Sequence, residues 1–368
     1  MSIDIGIIGL PQSGKTTIFN TLTAGKADTA THPSDGVSQH IGAAKIPEPR
    51  LKILDEILSP KKLVPIEARY IDVTASVKSL AENKGIGGEL LNRLGTVDTL
   101  ICVIRAFIDE SIPHPLGSLD IGRDINTLGL ELAYSDMAIL ERRLEKLETS
   151  MKGANSQERQ NLLQEKDLIQ QLKNDLENEK PIRELTLEPS VSRIINNYQL
   201  LTAKPFLIVI NIGEEQLDKI AVLEDGLNKQ YAGKKCRAIS LCGKLEMELA
   251  QLEENAAVEF RTEYGIRESG LERTIKASYE VSDLITFFTI ASNEVKAWSI
   301  KAGTTAVKAA GKIHTDMEKG FIRAEGISFE ELVSCGGIAE ARKQGRLRLE
   351  GKEYIVQDGD VITFLFNV

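Results

Sequence analysis

Residues 1–25 read MSIDIGIIGLPQSGKTTIFNTLTAG, and Gly9–Thr17 within them spell GLPQSGKTT. The pattern G-x-x-x-x-G-K-[ST] is complete in Gly9, Gly14, Lys15 and Thr16. Each part has a physical task. The glycines let the loop turn back so that its N–H groups point at an anion. Lys15 would reach the β- and γ-phosphates, and the Thr16 hydroxyl would ligate Mg²⁺. The context agrees. Ile3–Ile8 is a short apolar run, as a buried strand should be, and Ile18, Phe19 and Leu22 fall on one helical face after the loop. The loop therefore joins a strand to a helix N-terminus, where the helix dipole also favours negative charge.

Outward from this loop, residues 1–128 alternate strand-like and helix-like segments, with further strands expected at Glu67–Val73 and Thr99–Arg105. Alternation of this kind predicts an α/β fold with a doubly wound, parallel sheet. The character changes over 129–199. Ala133, Met137, Leu140, Leu144, Leu147 and Met151 recur at spacings of 4 and 3, a heptad seam. Gly153–Ser156 interrupts it, and Leu162, Ile169, Leu172 and Leu176 form a second, weaker seam. Polar flanks and a tight turn predict an inserted antiparallel coiled coil. The α/β pattern returns over 200–283, with KPFLIVIN ending at Asn211 and a strand at Cys236–Leu241. A third unit, 284–368, has strands in DLITFFTI, KAWSI and the closing YIVQDGDVITFLFNV, where Asp358–Gly359 signals a turn. It reads as a compact α+β domain.

Composition narrows the class. The charged fraction of 27% is that of an ordinary globular chain. No apolar run approaches the roughly 20 residues a membrane-spanning helix needs, and the N-terminus lacks the marks of a secretory signal. A cytoplasmic protein without membrane association is expected. The net charge of −9 argues against wholesale coating of nucleic acid. Cys102, Cys236, Cys242 and Cys335 form no CxxC pair, so zinc and disulfides are not expected. Cys236 and Cys242 are close enough in sequence that a redox role stays open.

A phosphate loop alone does not name a reaction. A Mg²⁺-dependent switch adds a carboxylate at a strand end. Asp72, after the apolar ARYI, would hold the metal through water or sense the γ-phosphate. For the base, translation-factor GTPases end a strand in N-K-x-D. Here the strand ends in Asn211-Ile212-Gly213-Glu214. Ile replaces the Lys, and a longer Glu replaces the Asp that grips guanine, so strict guanine selectivity should fall. Adenine recognition by backbone groups near Ile212 becomes available.

These residues, with KIPEPRL, VIRAFIDE, RDINTLGLELAYSDM, LCGKLEMELAQL and the long stretch Ser269–Glu325, resemble the YchF family, the Obg-like P-loop ATPases of the translation-factor class. The end of the chain resembles that family's TGS domain, a ubiquitin-like β-grasp module. The resemblance implies ATP in preference to GTP, slow Mg²⁺-dependent hydrolysis, and association with ribosomes or RNA, as a monomer. It implies that Gln12, Ser13, Gly14, Lys15, Thr16 and Thr17 wrap the phosphates. Asn211, Ile212 and Glu214 would face the base, and Cys242 and Gly243 would close its edge.

The chain also departs from the family pattern. Ala75 stands where the γ-phosphate-contacting glycine would be, and Ser76 where the catalytic position would be. Gly36 falls at the first switch's metal-binding Thr, which Thr31, Ser34 or Ser38 could replace. Three readings follow: a slow ATPase switch, a nucleotide-binding ribosome or RNA adaptor that hydrolyses little, and, distantly, a small-molecule kinase. For the partner face, Lys308, Lys312, Lys319, Arg323, Arg342, Lys343, Arg346 and Arg348 could contact phosphates. His314 reads as a structural histidine.

Overall fold

A computed structural model describes residues 3–23, 39–73, 88–266, 268–291 and 293–367. The positions singled out at Thr31, Ser34, Gly36, Ser38, Ala75 and Ser76 lie outside the described residues. The strands are β1 (Ile3–Gly9), β2 (Gln39–Lys45), β3 (Lys62–Val64), β4 (Glu67–Val73), β5 (Thr99–Arg105), β6 (Phe206–Asn211), β7 (Cys236–Leu241), β8 (Leu284–Ala291), β9 (Glu294–Lys301), β10 (Phe321–Ser328), β11 (Arg348–Glu350) and β12 (Asp360–Phe366). They form two six-stranded sheets, ordered β2-β4-β1-β5-β6-β7 and β11-β10-β12-β8-β9-β3.

In the first sheet, β1, β5, β6 and β7 run parallel, with Gly9 beside Val103, Arg105 beside Asn211 and Asn211 beside Leu241. Every residue of β5 and β6 is buried. A parallel sheet covered on both faces selects such continuous apolar runs. The register also aligns the C-terminal ends of these strands. The loops that leave them meet at one edge, where ligands bind in open α/β sheets.

The helical insertion is built as its seam predicts. A helix over Ile121–Met151 is followed by one over Ser156–Glu177. Asn155 and Glu158 form a reciprocal capping box at the start of the second. Ala133, Leu140, Leu147, Ile169, Leu172 and Leu176 are buried in one cluster. Glu141 pairs with Lys173 at 2.8 Å and Glu148 with Lys166 at 2.9 Å. The indices fall on one helix as they rise on the other, so the pair is antiparallel. The first helix starts at Ile121, capped by the Asp120 side chain, ahead of the expected boundary at 129.

By packing, the chain divides into two compact units: residues 4–42 with 70–273, and residues 1–3, 43–69 and 274–368. The segment 43–69, read from sequence as part of the nucleotide domain, is therefore built into the C-terminal unit. β3 adds to that unit's sheet edge, parallel to β9 from Lys62–Glu294 to Val64–Lys296. Arg50 donates to Glu48 and Asp358, each at 2.7 Å, over the Phe288 ring. Asp358 in turn accepts from the Thr286 N–H at 2.8 Å. These partners are distant in sequence, so no local pattern announces them. The unit's core gathers Phe287, Trp298, Phe321 and Phe364.

Among the described residues, no helix is long and apolar enough to cross a membrane. All four cysteines are free. Cys236 opens β7 and Cys242 follows its last residue. An extended strand of that length holds the two about 20 Å apart, far beyond disulfide reach, so they do not pair with each other. His314 caps a helix, its Nδ1 accepting from the Asp316 N–H at 3.2 Å.

Candidate nucleotide site

The phosphate loop leaves β1 at Gly9 and enters the helix Lys15–Leu22. Gly14 caps that helix with φ +89°, a left-handed conformation that glycine adopts without strain. A Cβ on Gly14 would lie 2.1 Å from Asn211 Nδ2, and one on Gly9 2.5 Å from the Val103 carbonyl oxygen. The two motif glycines are therefore required by close approach as well as by conformation. Gln12 also has positive φ, at +60°, an uncommon state for a non-glycine residue that recurs at ligand clamps.

Lys15 is buried and folds back over the loop. Its Nζ donates to the carbonyls of Gly9 at 3.0 Å and Leu10 at 2.9 Å. Burial pushes its pKa down, and Asp72 nearby opposes that shift. Thr16 Oγ1 donates to Asp72 Oδ2 at 3.3 Å. Burial pushes the Asp72 carboxyl up, against the pull of Lys15 and Thr16. Asp72 is wholly buried, yet its Oδ1 has no hydrogen-bond partner among the described residues. A carboxylate oxygen in this position is expensive to leave unmatched. Thr16 and Asp72 thus converge as a hard-oxygen pair that fits Mg²⁺. The motif and β4 lie 56 residues apart, and the parallel sheet brings them together.

Asn211 ties the phosphate loop to the base side. Its Nδ2 donates to the Ser13 carbonyl and its Oδ1 accepts from the Gly243 N–H, both at 3.1 Å. The Ile212 N–H donates to the Leu241 carbonyl at 3.0 Å. Beside Asn211 opens a cavity of about 620 Å³. Gly14, Thr17, Asn211, Ile212, Glu214 and Cys242 all border it. Gly243 stands behind this wall, held through Asn211. The Ile212 side chain is mostly turned into the core, being 2% exposed. Cys242 is buried, which pushes its thiol pKa up. Glu214 is exposed, with Lys244 Nζ 3.5 Å from its carboxylate.

The opposite wall was not legible in the motif. Phe107, Ile108 and Ile112 come from the loop after β5. Arg105, at the end of an otherwise apolar strand, organises that loop. Its guanidinium donates to the carbonyls of Phe107 (3.3 Å), Asp109 (3.3 Å) and Ile112 (2.8 Å). The Ala106 and Phe107 N–H groups both donate to the Asn211 carbonyl. A lone arginine closing the apolar strand TLICVIR was the available signal.

Comparison with known proteins bears on this geometry. A family model described as 50S ribosome-binding GTPase matches residues 4–114. A YchF GTPase C-terminal model, described as a protein of unknown function, matches residues 284–367. The Ribosome-binding ATPase YchF of Bacillus subtilis is 39% identical, with all of both chains covered. That of Haemophilus influenzae is 36% identical over the same full extent. The chain belongs to the YchF family. The solved structure of the Schizosaccharomyces pombe YchF GTPase superposes with a TM-score of 0.80 at 29% identity, covering 99% of this chain and 98% of that one. The YchF fold of a P-loop α/β domain followed by a C-terminal YchF domain is accordingly the fold of this chain. In this YchF chain the loops after β1, β5, β6 and β7 meet at one edge of the sheet.

Proposed function

We propose that this YchF chain binds ATP with Mg²⁺, hydrolyses it slowly, and uses the nucleotide state to control association with the ribosome. The observation that carries the reading is the Thr16–Asp72 pair beside Lys15, with one oxygen of the buried Asp72 unmatched. Bound Mg²⁺ would supply charge neutralisation between phosphate oxygens. Thr16 and Asp72 would hold it. Lys15, released from the Gly9 and Leu10 carbonyls, would place its ammonium on the phosphates. Gln12–Thr17 would present N–H groups, and Asn211 keeps that loop in register with the base side.

The base side favours adenine. Guanine selectivity needs a carboxylate fixed opposite N1–H and N2–H₂. Here Glu214 is exposed and engaged by Lys244, while the cavity is bordered by apolar Phe107, Ile108, Ile112 and Ile212. Two full-length relatives carry the name Ribosome-binding ATPase, which supports ribosome association of a cytoplasmic protein. RNA contact is the finer part of the proposal. In the C-terminal unit, Lys308, Arg342 and Lys343 are paired with Glu318, Glu325 and Glu340. Lys312, Lys319, Arg323 and Arg346 would therefore carry most of any phosphate contact.

The test is binding and turnover measured together, ATP against GTP, with Lys15→Ala as control. ATP-selective binding with phosphate release that Lys15→Ala abolishes is the expected result. Tight binding with release equal to the control would instead identify a nucleotide-gated adaptor. Ribosome co-sedimentation with and without ATP completes it, and equal pelleting in both states would overturn the switch reading.

A further inference from the structure

Arg105 is the last residue of β5 and is 3% exposed. Its guanidinium serves one loop. Nε donates to the Phe107 carbonyl, and Nη2 donates to the carbonyls of Asp109 and Ile112. The guanidinium carbon lies 4.5 Å from the centre of the Phe107 ring. The start of the loop is anchored separately, because the Ala106 and Phe107 N–H groups donate to the Asn211 carbonyl at 2.8 and 3.1 Å. Further on, the Ile112 N–H donates to the Asp109 carbonyl and the Ser111 N–H to the Asp109 carboxylate.

This arrangement shapes the cavity beside Asn211 in two ways. Arg105 does not itself border that cavity. The carbonyls of Phe107, Asp109 and Ile112 are therefore engaged by a group behind the wall. What the wall presents instead is apolar: Phe107, Ile112 and Ile108, the last 74% exposed. A Cβ on Gly14 would come within 3.8 Å of Phe107 Cε1, so the ring reaches the phosphate loop. An apolar wall this open gains when a flat ring covers it. The carboxylates at the rim are engaged elsewhere. Glu214 faces Lys244, Asp109 accepts from the Ser111 N–H and hydroxyl, and Glu215 folds against Gly213.

We infer that, with the cavity beside Asn211 taken as the base site proposed above, Arg105 is a positioning residue that determines base specificity. It touches no nucleotide. It withholds three carbonyl acceptors from the base and fixes Phe107 and Ile108 as an apolar face. Guanine brings N1–H and N2–H₂ into the cavity, and each needs an acceptor once buried. Adenine brings the N6 amino group alone, and its N1 is an acceptor. A wall whose carbonyls are already engaged therefore disfavours guanine more than adenine, because a buried donor without a partner is strongly unfavourable.

The test is calorimetric binding of ATP, GTP and base-free tripolyphosphate, each with Mg²⁺, to the full chain and to Arg105→Met and Arg105→Lys. The parent should bind ATP about tenfold or more tighter than GTP, the effect of one unmatched buried donor. Arg105→Met frees the three carbonyls and loosens the wall. ATP should then bind about tenfold more weakly, GTP should lose less, and their ratio should narrow to about threefold. Tripolyphosphate affinity should stay the same, since Asn211 still holds the phosphate loop. In a folded variant, an equal loss for all three ligands marks a merely structural arginine and overturns the proposal. An unchanged ATP:GTP ratio also overturns it, while leaving the adenine reading intact. A parent without ATP preference overturns the adenine reading and this role of Arg105 together. Should Arg105→Met fold poorly, Arg105→Lys decides. It keeps the charge but lacks the planar fork, so its ratio must fall below the parent's with tripolyphosphate affinity retained. A parent-like ratio in Arg105→Lys refutes the role.

Discussion

Asn211→Asp is the substitution that most sharply tests the nucleotide edge. It changes one NH₂ to oxygen and almost no volume. Asn211 is 4% exposed. Its two hydrogen bonds, each 3.1 Å, run to the Ser13 carbonyl and the Gly243 N–H. In Asp the Gly243 bond survives. The Ser13 bond is replaced by oxygen facing oxygen. A buried hydrogen bond contributes about 0.5–1.5 kcal/mol net, and an unmatched buried polar group costs about 1–3 kcal/mol. Together these give a loss of about 1.5–4.5 kcal/mol, or about 10- to 2,000-fold in ATP affinity. The added negative charge beside the phosphate loop acts in the same direction. Asn211→Ala removes both bonds but adds no charge, so it should bind ATP better than Asn211→Asp. Calorimetric titration of the parent and both variants at pH 7.5 reads this order. Acidification should narrow the Asp deficit, because a protonated carboxyl regains a donor. An Asp variant within threefold of the parent would show that Asn211 does not hold the phosphate loop.

Gly14→Ala should abolish nucleotide binding in a folded protein. The new Cβ is strained at φ +89° and lies 2.1 Å from Asn211 Nδ2; binding within tenfold of the parent would contradict this. Asp72→Asn has two opposite effects. Because burial raises the Asp72 pKa, its contribution to stability is full below the unfolded value, about 3.9. That contribution declines as pH rises through the raised folded value. At pH 7 the nucleotide-free variant should therefore melt higher than the parent, while Mg²⁺ no longer tightens ATP binding; a lower midpoint would refute the assignment. Leu172→Ala, at a 1% exposed position of the hairpin seam, should cost about 2–5 kcal/mol. The loss should appear as early melting of helical signal with ATP affinity retained, and a matching loss of affinity would mean the hairpin is not separable from the site.

The sequence by itself determined everything governed by local periodicity and short spacing. GLPQSGKTT announced the phosphate loop because its conformational demands fall within nine consecutive residues. The apolar runs at Thr99–Arg105 and Phe206–Asn211 announced buried parallel strands, and the 4 and 3 spacing from Ala133 announced the hairpin seam. Asn211 and Asp72 were readable because strand ends in such sheets carry ligand groups. What the tertiary structure alone decided depends on partners far apart in sequence. Arg105 gathers the carbonyls of a loop that no motif marks as a wall of the cavity beside Asn211. Residues 43–69 join the C-terminal unit through β3 on β9 and Arg50 on Asp358. Hydrogen-bond satisfaction and desolvation are set by which surfaces the fold closes over each group, and a one-dimensional pattern does not carry that information.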